Sequence, residues 1–310
     1  MKRKVIQIAG STQLVSLPRK WAKAQNIQKG DEVDIQEKGN TIVVSASASP
    51  AVEKTEIDIT NLKAMIPRYI HAMYKRGVDE LKLTFSNPEM LKIVQESIGK
   101  EAVGYEILEH GKNHCTIKYV TGNIEEFDSI LRRTFMMLVT MADESVDAIK
   151  SKNFSQLNNI AFLEEANNRF TTICRRYLNK NGAPKSYSKV GPLYFIVESL
   201  ERIADQYKYT CRYLAAQPKT MQLSRDVFDL YVCLTEMLHD VYTVFYKFDF
   251  DLIAKIKEAR DKIITESYRL LEKKLAPVDL MLLHHTISAT NLVFGLLDPY
   301  IVIADIGGAP

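Results

Sequence analysis

Two groups of charged residues in this 310-residue sequence have types and spacings that suit chemistry. The first group is basic: residues 1–30 contain no Asp or Glu and seven basic residues, Lys2, Arg3, Lys4, Arg19, Lys20, Lys23 and Lys29. Because the net charge of the whole chain is only +3, the residues after position 30 carry −4 together. This asymmetry indicates a polyanionic partner for the N-terminal end, and a solvated basic face is the alternative.

The second group is acidic and lies in the stretch ESLERIAD at 198–205. Glu198, Glu201 and Asp205 are spaced i, i+3 and i+7, so the three carboxylates share one face of a helix. Hard cations and iron prefer such oxygen ligands, which makes a divalent or ferric ion a candidate cofactor. The alternative is a solvated acidic stripe in which Glu198 pairs with Arg202.

Other patterns exclude several classes of protein. We find no G-x-S-x-G, P-loop, G-x-G-x-x-G after a strand, or H-E-x-x-H, so we expect no catalytic activity. The four cysteines form no CxxC pair and predict reduced thiols. The chain shows neither a signal-peptide pattern nor an uninterrupted apolar run of about 18 residues, so we expect a cytoplasmic protein without membrane insertion.

The basic residues belong to a small module at residues 1–48. Its apolar alternation and turn residues predict two short strands, one short helix that opens at Pro18, and a β-hairpin across 38–40. So small a module cannot bury enough apolar surface alone, and we expect it to pair with a second copy. Trp21 is the expected anchor of that dimer.

Two segments with other periodicities follow. Residues 49–54 are predicted to form a linker, because the stretch SASASPAVEK is small and polar and contains a proline. Residues 55–120 have the pattern β-α-β-α-β-β and predict a small α/β domain that acts as a spacer or senses an unknown ligand. Nothing in this segment resembles a Gly-rich phosphate loop.

Residues 121–302 have a helical period throughout. Six long helices with short connections predict an antiparallel bundle, and Asn153-Phe154 is echoed by Asp249-Phe250, which divides it into two three-helix repeats. After a first apolar seam that runs from Ile124 to Ile149, the helices are predicted at roughly 154–179, 192–215, 221–247, 250–274 and 278–297.

Residues 3–46, RKVIQIAGSTQLVSLPRKWAKAQNIQKGDEVDIQEKGNTIVVSA, resemble the AbrB/MazE/SpoVT family of swapped-hairpin DNA-binding domains. The features shared with the family are the basic start, SLP before a short helix, KGDEV after it, and the closing hairpin. The resemblance implies that two chains interleave their hairpins into one small β-barrel and bind DNA through basic residues. The candidate DNA contacts are Lys2, Arg3, Lys4, Arg19, Lys20 and Lys23.

Residues 121–300 resemble PhoU, the family of phosphate-uptake regulators with six helices in two repeats. PhoU-like proteins carry E/D-x-x-x-D motifs that hold metal clusters on the bundle surface. Glu201-x-x-x-Asp205 matches one motif, Glu164-x-x-x-Asn168 matches another only at its first residue, and the second repeat has no counterpart. The resemblance therefore implies at most one metal site, which this sequence could also have lost. The candidate ligands are Glu164, Glu198, Glu201 and Asp205.

Together these patterns predict a multidomain α+β protein: an N-terminal swapped-hairpin β-barrel that is dimeric, a small α/β middle domain, and a C-terminal six-helix PhoU-like bundle. Such a fusion is associated with archaeal phosphate-regulator homologues. We expect a dimeric, phosphate-linked transcriptional regulator that binds DNA. The alternative is a signalling adaptor that contacts phosphate transporter or kinase components and binds no DNA. A carboxylate-bridged metal enzyme is disfavoured, because the bundle helices have no Glu-x-x-His pair.

Overall fold

The structure, a computed structural model of the whole chain, describes residues 2–8, 10, 12–38, 41–46, 52–122, 127–183, 189–218 and 220–304. The chain divides into two compact units, Met1–Ala51 and Val52–Pro310. The first unit contains the basic module. The second contains the α/β segment together with the long helices, which pack against each other.

The first unit has the element order that the sequence predicts. Strands β1 and β2 pair antiparallel, with Val5 opposite Val15, and β3 and β4 pair antiparallel in a separate two-stranded sheet. The tip of the second hairpin lies outside the described residues. The interleaved barrel of two chains stays a prediction. The elements are β1 Val5–Ile8, β2 Thr12–Val15, α1 Arg19–Ala24, β3 Asp34–Lys38 and β4 Thr41–Ser45.

The first unit has no buried core of its own within its described residues. Every described side chain from 2 to 46 is exposed or only partly buried. The exposed set includes most of the apolar residues of the strands: Val5, Ile6, Ile8, Leu14, Val15, Ile35, Ile42 and Val43. An isolated two-stranded hairpin is at best marginally stable in water, so these strands need a further apolar surface to cover them.

The α/β segment forms one four-stranded sheet in the order β5-β6-β8-β7, in which only β5 and β6 are parallel. Lys54 already belongs to β5, which corrects the predicted end of the linker, and residues 47–51 lie outside the described part. The elements are β5 Lys54–Asp58, a 3-10 turn at Lys63–Met65, α2 Ile66–Arg76, β6 Glu80–Thr84, α3 Met90–Glu101, β7 Tyr105–His110 and β8 His114–Tyr119.

Gly77 ends α2 and lets the chain turn into β6. Its φ of 102° is left-handed, and its amide donates to the carbonyl of Tyr74. A Cβ atom here would lie 3.3 Å from Cβ of Lys180 on the neighbouring long helix. Glycine therefore serves both the helix cap and the close approach of the α/β segment to the helices.

The long helices form two triplets: α4, α5 and α6 pack together, as do α7, α8 and α9, with α6 against α9 and α4 against α7. The last predicted helix, 278–297, ends at Phe294 instead, and a further short helix begins at Leu297. Pro299 lacks the N–H that would bond the carbonyl of Gly295 in a continuous helix. The helices are α4 Phe127–Lys150, α5 Leu157–Asn181, α6 Val190–Ala215, α7 Arg225–Tyr246, α8 Phe250–Leu271, α9 Pro277–Phe294 and α10 Leu297–Ile303.

One described stretch, Pro277–Ile303, is apolar and long enough by composition to span a membrane. Half of its most apolar window is buried inside the protein, where α9 packs on α6 and α7. A core helix of a soluble bundle has the same properties, so the stretch does not indicate membrane insertion.

The four cysteines are free thiols. Burial raises the pKa of Cys115 to about 11 and of Cys174 and Cys211 to about 12, and it also raises the pKa of Cys233. Because the thiolate is the reactive form, these are packing residues and not nucleophiles.

Candidate functional site

The six candidate DNA contacts all lie at the surface of the first unit. Three of them, Lys2, Arg3 and Lys4, precede β1, and the other three belong to α1. All six side chains are exposed, and none forms an ion pair with any residue in the described part of the chain. Exposed cations without carboxylate partners are the groups that contact nucleic-acid phosphates.

Helix α1 presents its basic residues in a fixed arrangement. Pro18 precedes it with a φ of −62°, and its carbonyl accepts a 2.9 Å hydrogen bond from the amide of Ala22. Arg19 and Lys23 are four residues apart, so they share one face of the helix. Trp21 is partly buried, consistent with a packing role, although its expected place in a dimer core stays a prediction.

The candidate metal ligands lie between α5 and α6, in what we call the polar ladder. It consists of Glu164, Asn168, Thr171 and Arg175 on α5, and Glu198, Glu201, Asp205 and Lys208 on α6. The structure thus brings all four predicted carboxylates to one helix pair, and it places two cations among them that the sequence interpretation overlooked.

Arg175 occupies one end of the polar ladder, and its side chain is 2% exposed. Its Nη1 donates to Oε2 of Glu198 at 2.6 Å, and its Nη2 donates to Oε2 of Glu201. The hydroxyl of Thr171 donates to the same Glu201 oxygen at 3.1 Å. The alternative, in which Glu198 pairs with Arg202, does not hold: Arg202 is exposed, whereas the buried guanidinium of Arg175 contacts both Glu198 and Glu201.

Lys208 occupies the other end. Its ammonium lies 2.8 Å from Oε1 of Glu164 and 2.5 Å from Oδ1 of Asp205, so it bridges α5 and α6. The amide nitrogen of Asn168 also donates to Oε1 of Glu164, at 2.6 Å. Burial disfavours the ammonium, but the hydrogen bonds to Asp205 and Glu164 outweigh that effect and raise the pKa of Lys208.

The polar ladder does not fit a resident metal ion. A ligand oxygen must offer a lone pair, and one oxygen of Glu164 (Oε1) and one of Glu201 (Oε2) each accept two hydrogen bonds, so these two atoms have none to offer. Across the described residues, no group of three or more His, Cys, Asp and Glu could hold a metal. Two protein cations lie where an ion would be expected to neutralise these carboxylates.

A second buried cation, Arg176, joins α5 to the α/β segment. Its Nη1 donates to the carbonyls of Tyr74 and Val78 at 3.0 and 2.8 Å, and its Nη2 lies 2.7 Å from Oδ1 of Asp79. Its guanidinium carbon lies 4.0 Å from the ring centroid of Tyr119. Lys180 contacts the same Asp79 oxygen. These contacts give a fully buried arginine the charge and hydrogen-bond partners that it requires.

Sequence reasoning missed the three cations Arg175, Arg176 and Lys208. Two signals were present: the adjacent arginines interrupt the apolar period of α5, and Lys208 continues the spacing of Glu201 and Asp205 along one helix face.

Comparison with known proteins supports the predicted resemblance of the N-terminal segment. A family model described as "Antidote-toxin recognition MazE, bacterial antitoxin" matches residues 6–51. No curated protein sequence matches the chain significantly. Among solved structures, the phosphate transport system regulatory protein PhoU from Streptococcus pneumoniae is similar with a TM-score of 0.48 and 13% identity, over 57% of this chain and 92% of that one. The N-terminal segment is thus similar to MazE-type domains, and the resemblance of the helical part to PhoU stays a prediction from the sequence.

Proposed function

We propose that this protein is a cytoplasmic, homodimeric transcriptional regulator linked to phosphate. It binds DNA through its first unit and senses phosphate status through its helices, with negative regulation of phosphate uptake or signalling as the outcome. The observation that carries the DNA-binding part is a set of six exposed basic residues without ion pairs in the described part of the chain. Three of them, Arg19, Lys20 and Lys23, lie within the residues 6–51 that match the MazE family model. We propose no catalytic role.

The exposed apolar strands of the first unit support the dimer. Apolar side chains on β1 and β2, such as Ile6 and Leu14, are paired across the hairpin and are 56% and 45% exposed. A second copy would cover them and would also double the number of basic residues presented to one duplex. Linked half-sites then strengthen binding even when each contact is weak.

The phosphate link rests on the sequence resemblance of residues 121–300 to PhoU regulators. On that basis, the partners of the helical part are phosphate transporter or signalling proteins. Since the carboxylates of the polar ladder already pair with two cations of the chain, we place partner recognition elsewhere on the helices.

The test is binding of the full-length dimer to mixed genomic duplex fragments at 50 and 200 mM salt. If each dimer makes about six phosphate contacts, affinity falls about 10³-fold between these concentrations. Charge reversal by Arg19→Glu with Lys20→Glu should abolish binding. The matched control is Lys92→Glu with Lys100→Glu on α3, which makes the same charge change at exposed residues outside the first unit and should leave binding unchanged.

Failure of the wild-type chain to bind DNA at 50 mM salt would refute the regulator. The adaptor would then be favoured, with the first unit acting only as a dimerisation element. Equal loss of binding in both charge-reversed variants would show that net charge, and not the first unit, attracts the duplex.

A further inference from the structure

In the polar ladder, two cations of the chain lie among four carboxylates. Lys208 is held on both sides, by a carboxylate of α5 and a carboxylate of α6. Its side chain is only 12% exposed and that of Glu164 is 6% exposed, so the pair is largely shielded from water. A carboxylate this buried requires a neutralising partner, because burying an unpaired charge is costly.

At the other end of the polar ladder, buried charges are likewise paired. Arg175 is buried and contacts Glu198 and Glu201, the first two acidic residues of the i, i+3, i+7 series. Lys208 contacts Asp205, the third. Each carboxylate on the α6 face therefore has a cation from the protein itself, and both cations are in the positions that link α5 to α6.

We propose that Arg175 and Lys208 are built-in cations that replace a bound metal in joining α5 to α6, so that the helical part of this protein is independent of metal ions. The structural consequence is a helix pair whose cohesion does not vary with metal concentration. An ammonium on a covalently attached side chain is always present, whereas a bound ion stabilises a protein only in proportion to its supply.

The residue types at positions 168 and 208 distinguish the polar ladder from a metal site. Asn168 stands where a second carboxylate of the motif would stand, and its amide donates to Glu164 where a carboxylate would repel it. Lys208 uses the oxygens of Glu164 and Asp205 that an ion between the helices would need. Reversing both choices should therefore convert the polar ladder into a metal site.

The first experiment measures metal on the full-length chain after treatment with EDTA, desalting and reloading with Zn²⁺, Mn²⁺ or Fe³⁺. Elemental analysis of the wild type and of Glu201→Gln with Asp205→Asn should give the same metal content. The Tm of the wild type should not change with EDTA. About one ion per chain that the wild type holds and the double variant lacks would overturn the proposal.

The second experiment removes the built-in cation with Lys208→Met combined with Asn168→Asp. In EDTA the Tm should fall, and Mn²⁺ or Zn²⁺ should restore it with about one ion bound per chain. Lys208→Arg, which keeps the positive charge, should retain a Tm close to that of the wild type. The control Lys257→Met removes an exposed lysine paired with Asp261 on α8 and should change neither Tm nor metal content.

A Lys208→Met/Asn168→Asp variant as stable as the wild type in EDTA would also overturn the proposal, because Lys208 would then neutralise nothing. Neither experiment involves DNA, so its outcome is separate from that of the proposed regulator function.

Discussion

The two units of this chain use the same apolar residues in opposite ways. In residues 2–46, strand residues such as Ile6 and Ile35 are 56% and 63% exposed, and no described side chain is buried. In the second unit, Leu81 and Leu83 of β6 are almost completely buried, and the long helices enclose one continuous apolar cluster. The apolar strand residues of the second unit are thus buried by other elements of the same chain, whereas those of the first unit are not.

This difference shows which unit can form a buried core without a second copy of the chain. The second unit buries a large apolar cluster and pairs the buried Arg175 and Arg176 with carboxylates, so it is expected to fold as it stands. The first unit cannot offset the entropy cost of ordering its chain with so little buried surface. Its folding is expected to depend on a partner copy, and this dependence links dimerisation to DNA binding.

The strongest test of whether the buried ion pairs stabilise the second unit is Arg176→Met. The substitution leaves two carbonyl groups and Asp79 without their buried donor, so the free energy of unfolding should fall by about 3 kcal/mol. This value is at the low end for breaking a buried pair, because Lys180 remains beside Asp79. Chemical denaturation of the full-length chain measures it.

The control for Arg176→Met is Arg202→Met, which removes an exposed arginine without an ion pair in the described part of the chain. It should change the free energy of unfolding by less than about 0.5 kcal/mol. If the two variants were equally stable, Arg176 would not be what holds the α/β segment to α5.

Ile6→Asp tests whether a second copy covers the apolar strands of the first unit. In a lone chain this exposed position tolerates a charge, but in a dimer it would bury one carboxylate per subunit. Covering an isoleucine contributes about 1.5–3 kcal/mol, so the dissociation constant of the dimer should rise at least about 100-fold. Sedimentation equilibrium measures it.

Gln13→Asp on β2 is the matched control, since Gln13 is also exposed but polar. It should leave the dimer intact. Dimers of equal stability in the two variants would mean that the apolar face of β1 is not the contact between copies.

Much of the fold could be predicted from the sequence because apolar periodicity is a local property. The element order of both units and the pairing of helices into two triplets follow from it. The ends of single elements did not: β5 begins at Lys54, inside the predicted linker, since strand ends are set by pairing partners and not by local composition.

The polar contacts could be predicted only in part, because they depend on how helices are rotated against each other. The acidic face of α6 was visible from spacing alone. Its partners were not, since Arg175 and Arg176 are adjacent in sequence yet point about 100° apart. One contacts α6 and the other contacts the α/β segment, a difference that appears only once the helices are packed.

A finer comparison within the second unit contrasts two glycines. Gly77→Ala should lower the free energy of unfolding by about 1–2 kcal/mol, because φ is left-handed and the new Cβ would meet Lys180. Gly99→Ala, inside α3 with open space around it, should raise stability by about 0.5–1 kcal/mol. Thermal unfolding of both variants measures this opposition of sign, and a stabilising Gly77→Ala would contradict the cap.

The smallest predicted effect tests the two three-helix repeats against each other. Asp249 caps α8: its carboxylate accepts a 3.0 Å hydrogen bond from the amide of Leu252. The side chain of Asn153, its counterpart before α5, bonds the side chains of Ser155 and Gln156 and caps no backbone amide of the described residues. Asp249→Ala should therefore cost about 1 kcal/mol of unfolding free energy, and Asn153→Ala should cost less than half of that. Urea denaturation measures both losses of unfolding free energy. Equal losses would contradict the difference in capping between the two repeats. The expected inequality indicates that the second repeat keeps a helix N-cap, whereas the first has a turn at the same place.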